Sequence, residues 1–339
     1  MVVVNWNRRE LLGRCLLSLS SQQNAPAFEV IVVDNGSSDG SLEMIEDQRT
    51  VLSFPLKVIK NPDNRGFCEA NNQGIAQAAG EWVALLNNDA EARPDWIASM
   101  YSPMSGRNEY GMVACKILVY EDPGKIDKAG HLIYPDGQNR GRGSGQLDRG
   151  QFDATEDVLW PDGCAAMYRK RMLDQIGGFD EDLFAYGDDA ELGMRARIAG
   201  WKCLYVPQAV VLHHRGSTLG LFSPRRLELI ERNRILLAVK HFPATLLWAN
   251  GFYSAARVTA GAWAALRGKG EAGRFPGMAG KWKIAGALLR GTMQGLQMLP
   301  ATLRKRRAMA PLRKLTPRQT RQLLFQHRIS LKELSEQSV

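Results

Sequence analysis

Short aliphatic segments alternate with helical patterns near the start of the chain, and this alternation limits the fold more than any other feature. The aliphatic segments are Val2–Val4, Glu29–Asp34, Leu56–Ile59 and Trp82–Leu86. Between them, apolar residues recur at helical spacing over residues 8–22, 40–48 and 66–79. Strand–helix alternation is typical of a parallel sheet covered by helices, so the sequence predicts an α/β fold with a mostly parallel central sheet.

The alternation weakens between residues 107 and 157, where polar residues and glycines predominate. The segment Asn139–Gly145 holds three glycines, which permit many backbone conformations, and it predicts a mobile loop. Regular structure returns further along the chain. The predicted elements there are Leu159–Met167, helices at Lys170–Ile176 and Asp188–Ala199, and strands at Lys202–Val206 and Ala209–Leu212.

Charge is distributed very unevenly. Residues 1–224 carry 22 Lys and Arg against 30 Asp and Glu, a net charge of −8, whereas residues 225–339 carry 22 against 5, a net charge of +17. The longest uncharged run of the second part, Phe242–Ala256, has 15 residues and contains a proline. It is too short to cross a hydrocarbon core about 30 Å thick. We therefore expect a body at 1–224 and a helical, basic, amphipathic extension at 225–339 that lies on an anionic membrane surface. The alternative is a structural extension whose helices pack on the body with their arginines in solvent.

Two observations bear on partner and compartment. The basic segments Arg304–Arg307 and Arg313–Lys314 leave a nucleic-acid-binding module as an alternative. The aromatic residues of this region lie among aliphatic ones, which favours a membrane over nucleic acid. The five cysteines are spread singly and the first residues lack a signal-peptide pattern, so we expect a reduced, cytoplasmic compartment, with the chain peripheral on the inner face of the membrane.

Acidic residues follow two of the predicted strands. Asp34 ends one strand, and Asp89 comes shortly after the strand Trp82–Leu86. Ligands of open parallel sheets bind at the carboxyl ends of the strands, so both residues are ligand candidates. Mg²⁺ takes carboxylate oxygens and bridges them to phosphates, which suits Asp89, although helix capping is an alternative for it. Capping also explains Ser38 and Asp39.

A pair of acidic residues, Asp188 and Asp189, begins a predicted helix. Asp188 stands three residues before Glu191, the spacing of a capping box, which explains both as structural residues. Asp189 remains. In the first helical turn the dipole favours its ionised form, so we expect a carboxylate that can accept a proton from a hydroxyl.

Basic and imidazole side chains occur at two further element ends. His213, His214 and Arg215 follow a strand. Either imidazole can complete a metal site with Asp89, and Arg215 can meet a diphosphate. Arg65 precedes a predicted helix start, where its guanidinium and the exposed amides can bind an anion.

Several blocks occur in one order: VVxNWN, VVDNGSSDGS, NRGFxxANNxG, LLNNDA, IGGFDExLFxYGDDxELGxRxRxxG and HHRGS. On these blocks, which cover about residues 1–220, the chain resembles the family 2 glycosyltransferases and, within them, the rhamnosyltransferase-type branch. The resemblance implies a GT-A fold with a nucleotide-sugar half at 1–105 and an acceptor half at 106–224. It also implies sugar transfer with inversion at the anomeric carbon.

The same resemblance implies roles for individual residues. Asp189 is the expected catalytic base, and Asp89, preceded here by Asn87 and Asn88, is expected to bind Mg²⁺ or Mn²⁺ together with His213. The expected donor-binding residues are Asn5, Asp34, Arg65 and Asn88. The residues expected on the acceptor or phosphate side are Trp160, Asp162, Asp188, His214 and Arg215. For Trp160, whose ring can pack on a sugar, core packing is an alternative.

The expected reaction moves a sugar, with rhamnose as a candidate, from a nucleotide-diphosphate donor to a hydroxyl of a glycan or lipid-linked glycan in cell-envelope polysaccharide synthesis. A nucleotidyltransferase is the alternative enzyme. It is disfavoured because no glycine-rich loop bearing a lysine follows the first strand.

Overall fold

One central sheet organises the chain in the computed structural model, which describes residues 1–215, 223–270 and 277–336. Within these residues ten strands join in this sheet, and buried apolar residues form one core on each of its faces. The last two residues of the His213–Ser217 block lie outside the described ranges.

Four parallel strands and three helices form the first half of the fold. They are β1 (Val2–Asn5), α1 (Arg9–Ser20), β2 (Val30–Asp34), α2 (Ser41–Gln48), β3 (Leu56–Lys60), α3 (Gly66–Gln77) and β4 (Trp82–Leu86). The strand order is β4-β1-β2-β3. Strands β1 and β2 consist mainly of valine and isoleucine, as buried parallel strands do. The three predicted helices agree with the observed ones to within two residues at each end.

The second half adds a mixed part to the sheet. Its elements are β5 (Ala90–Ala92), α4 (Trp96–Tyr101), β6 (Tyr110–Val119), β7 (Asp122–Lys128), β8 (His131–Ile133), β9 (Asn139–Gly141), β10 (Glu156–Val158), β11 (Ala165–Arg169), α5 (Lys170–Ile176), α6 (Asp188–Ile198) and β12 (Lys202–His213). Strand β11 lies antiparallel between β4 and β6, and β12 runs parallel to β6. Strand β12 unites the two strands predicted there and has a register shift between Val206 and Val210.

The expected lack of regular structure over residues 107–157 is wrong, because β6 to β10 lie there and β9 takes up Asn139–Gly141 of the predicted loop. The glycines serve close packing. A Cβ on Gly141 would lie 2.4 Å from Cγ of Lys128, and a Cβ on Gly143 would lie 2.5 Å from the ring of Phe152. Glycine is therefore required at these positions because neighbouring side chains occupy the space of its missing Cβ.

The last third of the chain is helical, as predicted. The helices are α7 (Pro224–His241), α8 (Ala244–Leu266), α9 (Gly277–Gln297), α10 (Leu299–Ala308), α11 (Pro317–Gln326) and α12 (Leu331–Glu336). Leu236 and Leu237 of α7 and Leu323 and Leu324 of α11 belong to the same core as the sheet. The boundary predicted at residue 224 would thus place α7 outside the body, although α7 contributes to the core of the body. None of the helices in the described ranges has the length and hydropathy needed to cross a lipid bilayer.

Ion pairs explain part of the charge asymmetry. Arg257 of α8 binds Asp136 through Nε at 2.6 Å, and Asp136 is fully buried. Lys305 of α10 lies 2.5 Å from Asp180 Oδ1 and 2.5 Å from Asp182 Oδ2. Basic residues of the C-terminal region therefore neutralise acidic residues of the body.

Candidate active site

A cavity of about 360 Å³ lies at the carboxyl edge of the sheet. Its walls include Trp6 after β1, Asn35 after β2, Asn88 after β4 and Arg215 after β12. Residues of β7 to β9, the loop before α6 and one face of α7 complete the lining. The position agrees with the rule that ligands of such sheets bind at the carboxyl ends of the strands.

Three of the predicted donor-binding residues, Asn5, Asp34 and Asn88, form one buried chain of hydrogen bonds. Asn5 Nδ2 donates to Asp34 Oδ1 at 3.1 Å, and Asn88 Nδ2 donates to Asn5 Oδ1 at 2.7 Å. Asp34 Oδ2 accepts the backbone N–H of Ser37 at 2.9 Å. Of the three, Asn88 lines the cavity, while Asn5 and Asp34 lie behind it and fix the turn after β2.

Arg65, the fourth predicted donor-binding residue, is placed on the surface. Its side chain is 42% exposed and forms ion pairs with Asp63 (2.5 Å) and Glu69 (3.4 Å). Arg65 is not among the residues that line the cavity. In this conformation, therefore, its guanidinium binds neighbouring carboxylates instead of an anion in the cavity.

Asp89 and His213 face each other across the cavity wall. His213 Nε2 lies 3.5 Å from Asp89 Oδ1, and His213 Nδ1 lies 2.7 Å from Asp127 Oδ2. Asp127 also accepts a hydrogen bond from Arg215 Nε at 2.7 Å. A carboxylate on one ring nitrogen orients the other nitrogen toward a ligand. The carboxylate oxygen and imidazole nitrogen are a donor set that fits a divalent cation such as Mn²⁺.

His214 points away from this row. Its ring stacks on Tyr120 with centroids 3.6 Å apart, and its Nε2 lies 3.3 Å from Glu91 Oε1. It is not part of the cavity lining. Of the two imidazoles that the sequence left open, His213 is the one that faces Asp89.

Asp188 and Asp189 both line the cavity, but the predicted capping box is wrong. The N-cap of α6 is Gly187, which has no side chain to cap with. Glu191 instead binds Arg195 of the same helix at 2.7 Å and His241 at 2.9 Å, because α7 brings an imidazole partner that local sequence does not reveal.

The side chain of Asp189 is contacted by the loop before β11 and by β8. Its Oδ2 accepts the backbone N–H of Gly163 at 3.2 Å and lies 3.4 Å from His131 Nε2. His131 Nε2 in turn lies 2.8 Å from Asp162 Oδ2, which also receives Lys128 Nζ at 2.8 Å. His131, Asp162 and Asp189 offer ligand atoms within 4.8 Å of one another, but Asp162 is already bound by the ammonium of Lys128 at 2.8 Å. We interpret this group as support for Asp189 and not as a metal site.

Burial dominates the electrostatics of the two aspartates. It raises the pKa of Asp189, although the charges of His131 and Lys128 oppose the rise. This direction is opposite to the one expected from the helix dipole, because the desolvation of a buried carboxylate outweighs the dipole. Burial, together with the charge of Asp189, raises the pKa of Asp188 to about 8. The pair therefore holds a proton near neutral pH.

Trp160 is fully buried in the core and outside the cavity lining. Its ring stacks on that of His131 with centroids 6.0 Å apart. The structure thus places it in the core-packing role, beneath His131, whereas Asp162 and Arg215 do reach the cavity.

Sequence reasoning missed the cavity residues Asp127, Lys128 and His131, because it treated their segment as a loop. The available signal was three ionisable residues within five positions, next to the buried apolar residues Ile126 and Ala129. It also missed the face of α7 that lines the cavity. The α7 residues there are Arg226, Ile230, Asn233, Arg234 and Leu237.

Known proteins resemble this chain in both fold and sequence. A mannosyltransferase from Pyrobaculum calidifontis, solved with GDP-Man and Mn²⁺, has a TM-score of 0.55 at 18% identity, covering 87% of this chain and 86% of that one. S. aureus TarS 1-349, solved with UDP-GlcNAc, has a TM-score of 0.53 at 16% identity, covering 96% and 90%. These likenesses agree with the predicted GT-A fold.

The sequence comparisons identify the family. An N-acetylglucosaminyl-diphospho-decaprenol L-rhamnosyltransferase of Mycobacterium tuberculosis is 30% identical over 274 residues, which is 73% of this chain and 87% of the relative. Such relatives give no support to a nucleic-acid-binding protein or a nucleotidyltransferase. The model of the family named "Glycosyl transferase family 2" matches residues 1–177. The chain therefore belongs to glycosyl transferase family 2.

Proposed function

We propose that the chain transfers a sugar from a nucleotide-diphosphate donor to a hydroxyl of a glycan or lipid-linked glycan, with inversion at the anomeric carbon. The observation that carries this proposal is one cavity that contains both the carboxylate of Asp189 and the row formed by Asp89, His213 and Asp127. Asp189 supplies a proton acceptor. The row supplies a binding place for a diphosphate and for the cation that balances its charge.

In the proposed reaction, Asp189 accepts the proton of the acceptor hydroxyl while that oxygen bonds to the anomeric carbon. The bond from the anomeric carbon to the donor's diphosphate breaks, and its electron pair remains on the diphosphate oxygen. Gly163 and His131 hold the Asp189 carboxylate in place through contacts of 3.2 and 3.4 Å to Oδ2. A single displacement of this kind inverts the anomeric configuration and needs no covalent sugar intermediate.

Asp89 and His213 are the residues that we propose to hold Mg²⁺ or Mn²⁺. The support is their donor set, their separation of 3.5 Å and the orientation that Asp127 gives to the imidazole. The cation supplies charge neutralisation for the departing diphosphate. Asn88 lies beside Asp89 in the cavity lining and is bound to Asn5, so it can present its amide to the donor from a fixed position.

For the substrates, we propose rhamnose as the sugar and a lipid-linked glycan as the acceptor, in cell-envelope polysaccharide synthesis. The mycobacterial relative, by its name, acts on an acceptor that joins a sugar to a lipid through a diphosphate. In this chain Arg226 of α7 is a basic residue of the cavity lining, whereas Arg234 of the same face is paired with Glu231. An anionic acceptor is compatible with that wall.

We further propose that the protein binds the inner face of the cytoplasmic membrane through α8 and α9. These two helices carry four basic residues and no acidic one. They expose a set of large apolar side chains: Trp248, Phe252, Val258, Trp263 and Leu266 on α8, and Met278, Trp282, Leu289, Met293 and Leu296 on α9. Trp248 is 90% exposed and Trp282 is 70% exposed, which is unusual for tryptophan in water. Exposed aromatic rings beside lysines suit the interface of an anionic leaflet.

Two further features agree with this location. All five cysteines are buried and free, as expected in a reduced compartment. Because α7 lines the cavity and α9 packs on α7 through Arg290 and Gln294, which both bind Glu228, the apolar surface is attached to the catalytic body. We therefore treat residues 1–241 as one catalytic unit in this proposal.

The test is a transfer assay with the full chain, Mn²⁺, a panel of nucleotide sugars that includes nucleotide-activated rhamnose, and a synthetic diphospholipid-linked N-acetylglucosamine. We expect a product heavier by one sugar. Asp189→Asn should lower its formation by about 10²–10⁴-fold, as removal of a general base does. The matched control is Asp174→Asn, which alters an exposed aspartate of α5.

Two outcomes would contradict the proposal. One is a product that carries a nucleotide instead of a sugar. The other is near-normal turnover by folded Asp189→Asn protein, which would remove Asp189 from the role of base.

A further inference from the structure

The loop just before Asp188 and Asp189 has a strained backbone. Phe184 has φ 63° and Tyr186 has φ 67°, both in the left-handed region that residues with a side chain rarely adopt, and Gly187 follows with φ 72°. Asp188 comes next and begins α6. Such conformations persist only where the surroundings hold them, and they cluster at functional sites.

One side chain of α7 binds three carbonyl groups of this loop. Asn233 Nδ2 lies 3.0 Å from the carbonyl oxygen of Leu183, 2.9 Å from that of Ala185 and 2.7 Å from that of Tyr186. Asn233 is only 2% exposed. Its own Oδ1 accepts a hydrogen bond from Arg232 Nε at 2.8 Å, which fixes the amide so that Nδ2 faces the loop.

Neighbouring groups bind the remaining carbonyls. Arg232 Nη2 donates to Leu183 at 2.8 Å and to Asp182 at 3.2 Å. The carbonyl oxygen of Phe184 accepts the backbone N–H of Phe67 at 2.8 Å, at the start of α3. Every carbonyl from Asp182 to Tyr186 thus accepts a hydrogen bond from α7 or α3. The loop conformation is therefore imposed by tertiary contacts and not by its own sequence.

We propose that Asn233, oriented by Arg232, is a positioning residue that holds the left-handed loop 184–187 and thereby aims Asp189 at the acceptor hydroxyl. This inference rests on the proposed function, because it assigns the loop's geometry to the placement of the base. Asn233 also lines the cavity, one helical turn from Ile230 and Leu237, so the same helix supplies part of the wall and the support of the base. An amide is required there, since a carboxylate of the same shape has no N–H to donate and would repel three carbonyl oxygens.

The test compares Asn233→Ala and Asn233→Asp with the wild-type full chain. We expect kcat to fall by about 10–100-fold in both, because displacement of a reacting group by about 1 Å costs on the order of 10² in rate. Affinity for the nucleotide-sugar donor, measured by calorimetry, should stay within about twofold, because the donor residues Asn88 and Asp89 lie elsewhere in the cavity. Near-isosteric Asn233→Asp separates the loss of donated hydrogen bonds from the loss of volume.

The control is Asn250→Ala. Asn250 of α8 also donates its amide to a backbone carbonyl, that of Asp136 at 3.1 Å, but it does not touch the loop. Hydrogen exchange of the peptide covering residues 182–190 supplies a readout that needs no activity. We expect faster exchange there in both Asn233 variants and wild-type exchange in Asn250→Ala.

The outcomes separate this inference from the proposed function. If exchange quickens while kcat stays within about twofold of wild type, Asn233 holds the loop without positioning the base, and the inference fails. Unchanged exchange in folded Asn233→Ala also overturns it. If the wild-type chain transfers no sugar, the proposed function fails, and the inference about catalysis fails with it, whatever the exchange data show about the loop.

Discussion

Replacing Asp188 by asparagine tests the electrostatics of the site through stability and not through activity. Asp188 is 7% exposed and adjoins Asp189. Burial and the charge of Asp189 raise its pKa from the ordinary value of 3.8 to about 8. Between these two values the native protein keeps a proton that the unfolded chain has lost. The free energy of unfolding of the wild type should therefore fall as pH rises across this interval.

The size of the effect follows from the same shift. One pKa unit is about 1.4 kcal/mol, so the interval from 3.8 to about 8 sets an upper bound of roughly 6 kcal/mol. Because Asp188 and Asp189 share the proton, we expect about 2–4 kcal/mol. For 339 residues, with an unfolding entropy of about 2.1 cal/mol/K per residue, this is a change in Tm of roughly 3–6 °C.

The assay is thermal unfolding of wild type and Asp188→Asn at several pH values between 5 and 8.5. Asparagine has nearly the same shape and never ionises, so the variant should gain stability relative to wild type as pH rises, with the largest gain near pH 8. Asp174→Asn, an exposed aspartate on α5, should show no such trend. Parallel curves for wild type and Asp188→Asn would refute the argument that ionisation of this buried pair costs stability.

The remaining predictions concern the metal and the membrane. Asp89→Ala and His213→Ala should each weaken Mn²⁺ binding, measured by calorimetry. Asp127→Asn should weaken it less, because Asp127 only orients the imidazole. Removing a residue that orients a metal ligand lowers metal affinity by about 10–100-fold. If Asp89→Ala and His213→Ala bind Mn²⁺ as tightly as the wild type, the metal site lies elsewhere. The double variant Trp248→Ser with Trp282→Ser should lose sedimentation with vesicles containing anionic phospholipid while keeping its Tm, because both rings are exposed. Equal sedimentation of variant and wild type would contradict the assignment of the membrane surface to α8 and α9.

Parts of the fold and site follow from local sequence. The first four strands and three helices were predictable because their apolar periodicity is set by local burial, as in β2 and α1. Asp89, Asp189 and His213 could be singled out because element ends are where a parallel sheet places its ligands.

The rest depends on contacts between distant segments. Asp127 meets His213 from 86 positions away, and Asn233 meets Ala185 from 48 positions away. Local sequence patterns do not show contacts between such distant residues. The capping-box prediction failed for the same reason, since Glu191 binds His241 of another helix. The sequence also predicted the wrong direction for the pKa shift of Asp189. Burial by distant parts of the chain raises this pKa, and a helix-start motif does not show that burial.

The buried ion pair between Arg257 and Asp136 has a consequence for handling the protein at high ionic strength. Salt at about 1 M shortens the Debye length to roughly 3 Å and screens charges that face water, including those between surface lysines and lipid headgroups. Asp136 is fully buried, so its pairing with Arg257 is shielded from that screening. In the proposed membrane-bound state, a salt wash should therefore weaken the attraction of lysines to a charged leaflet while α8 stays docked on the body.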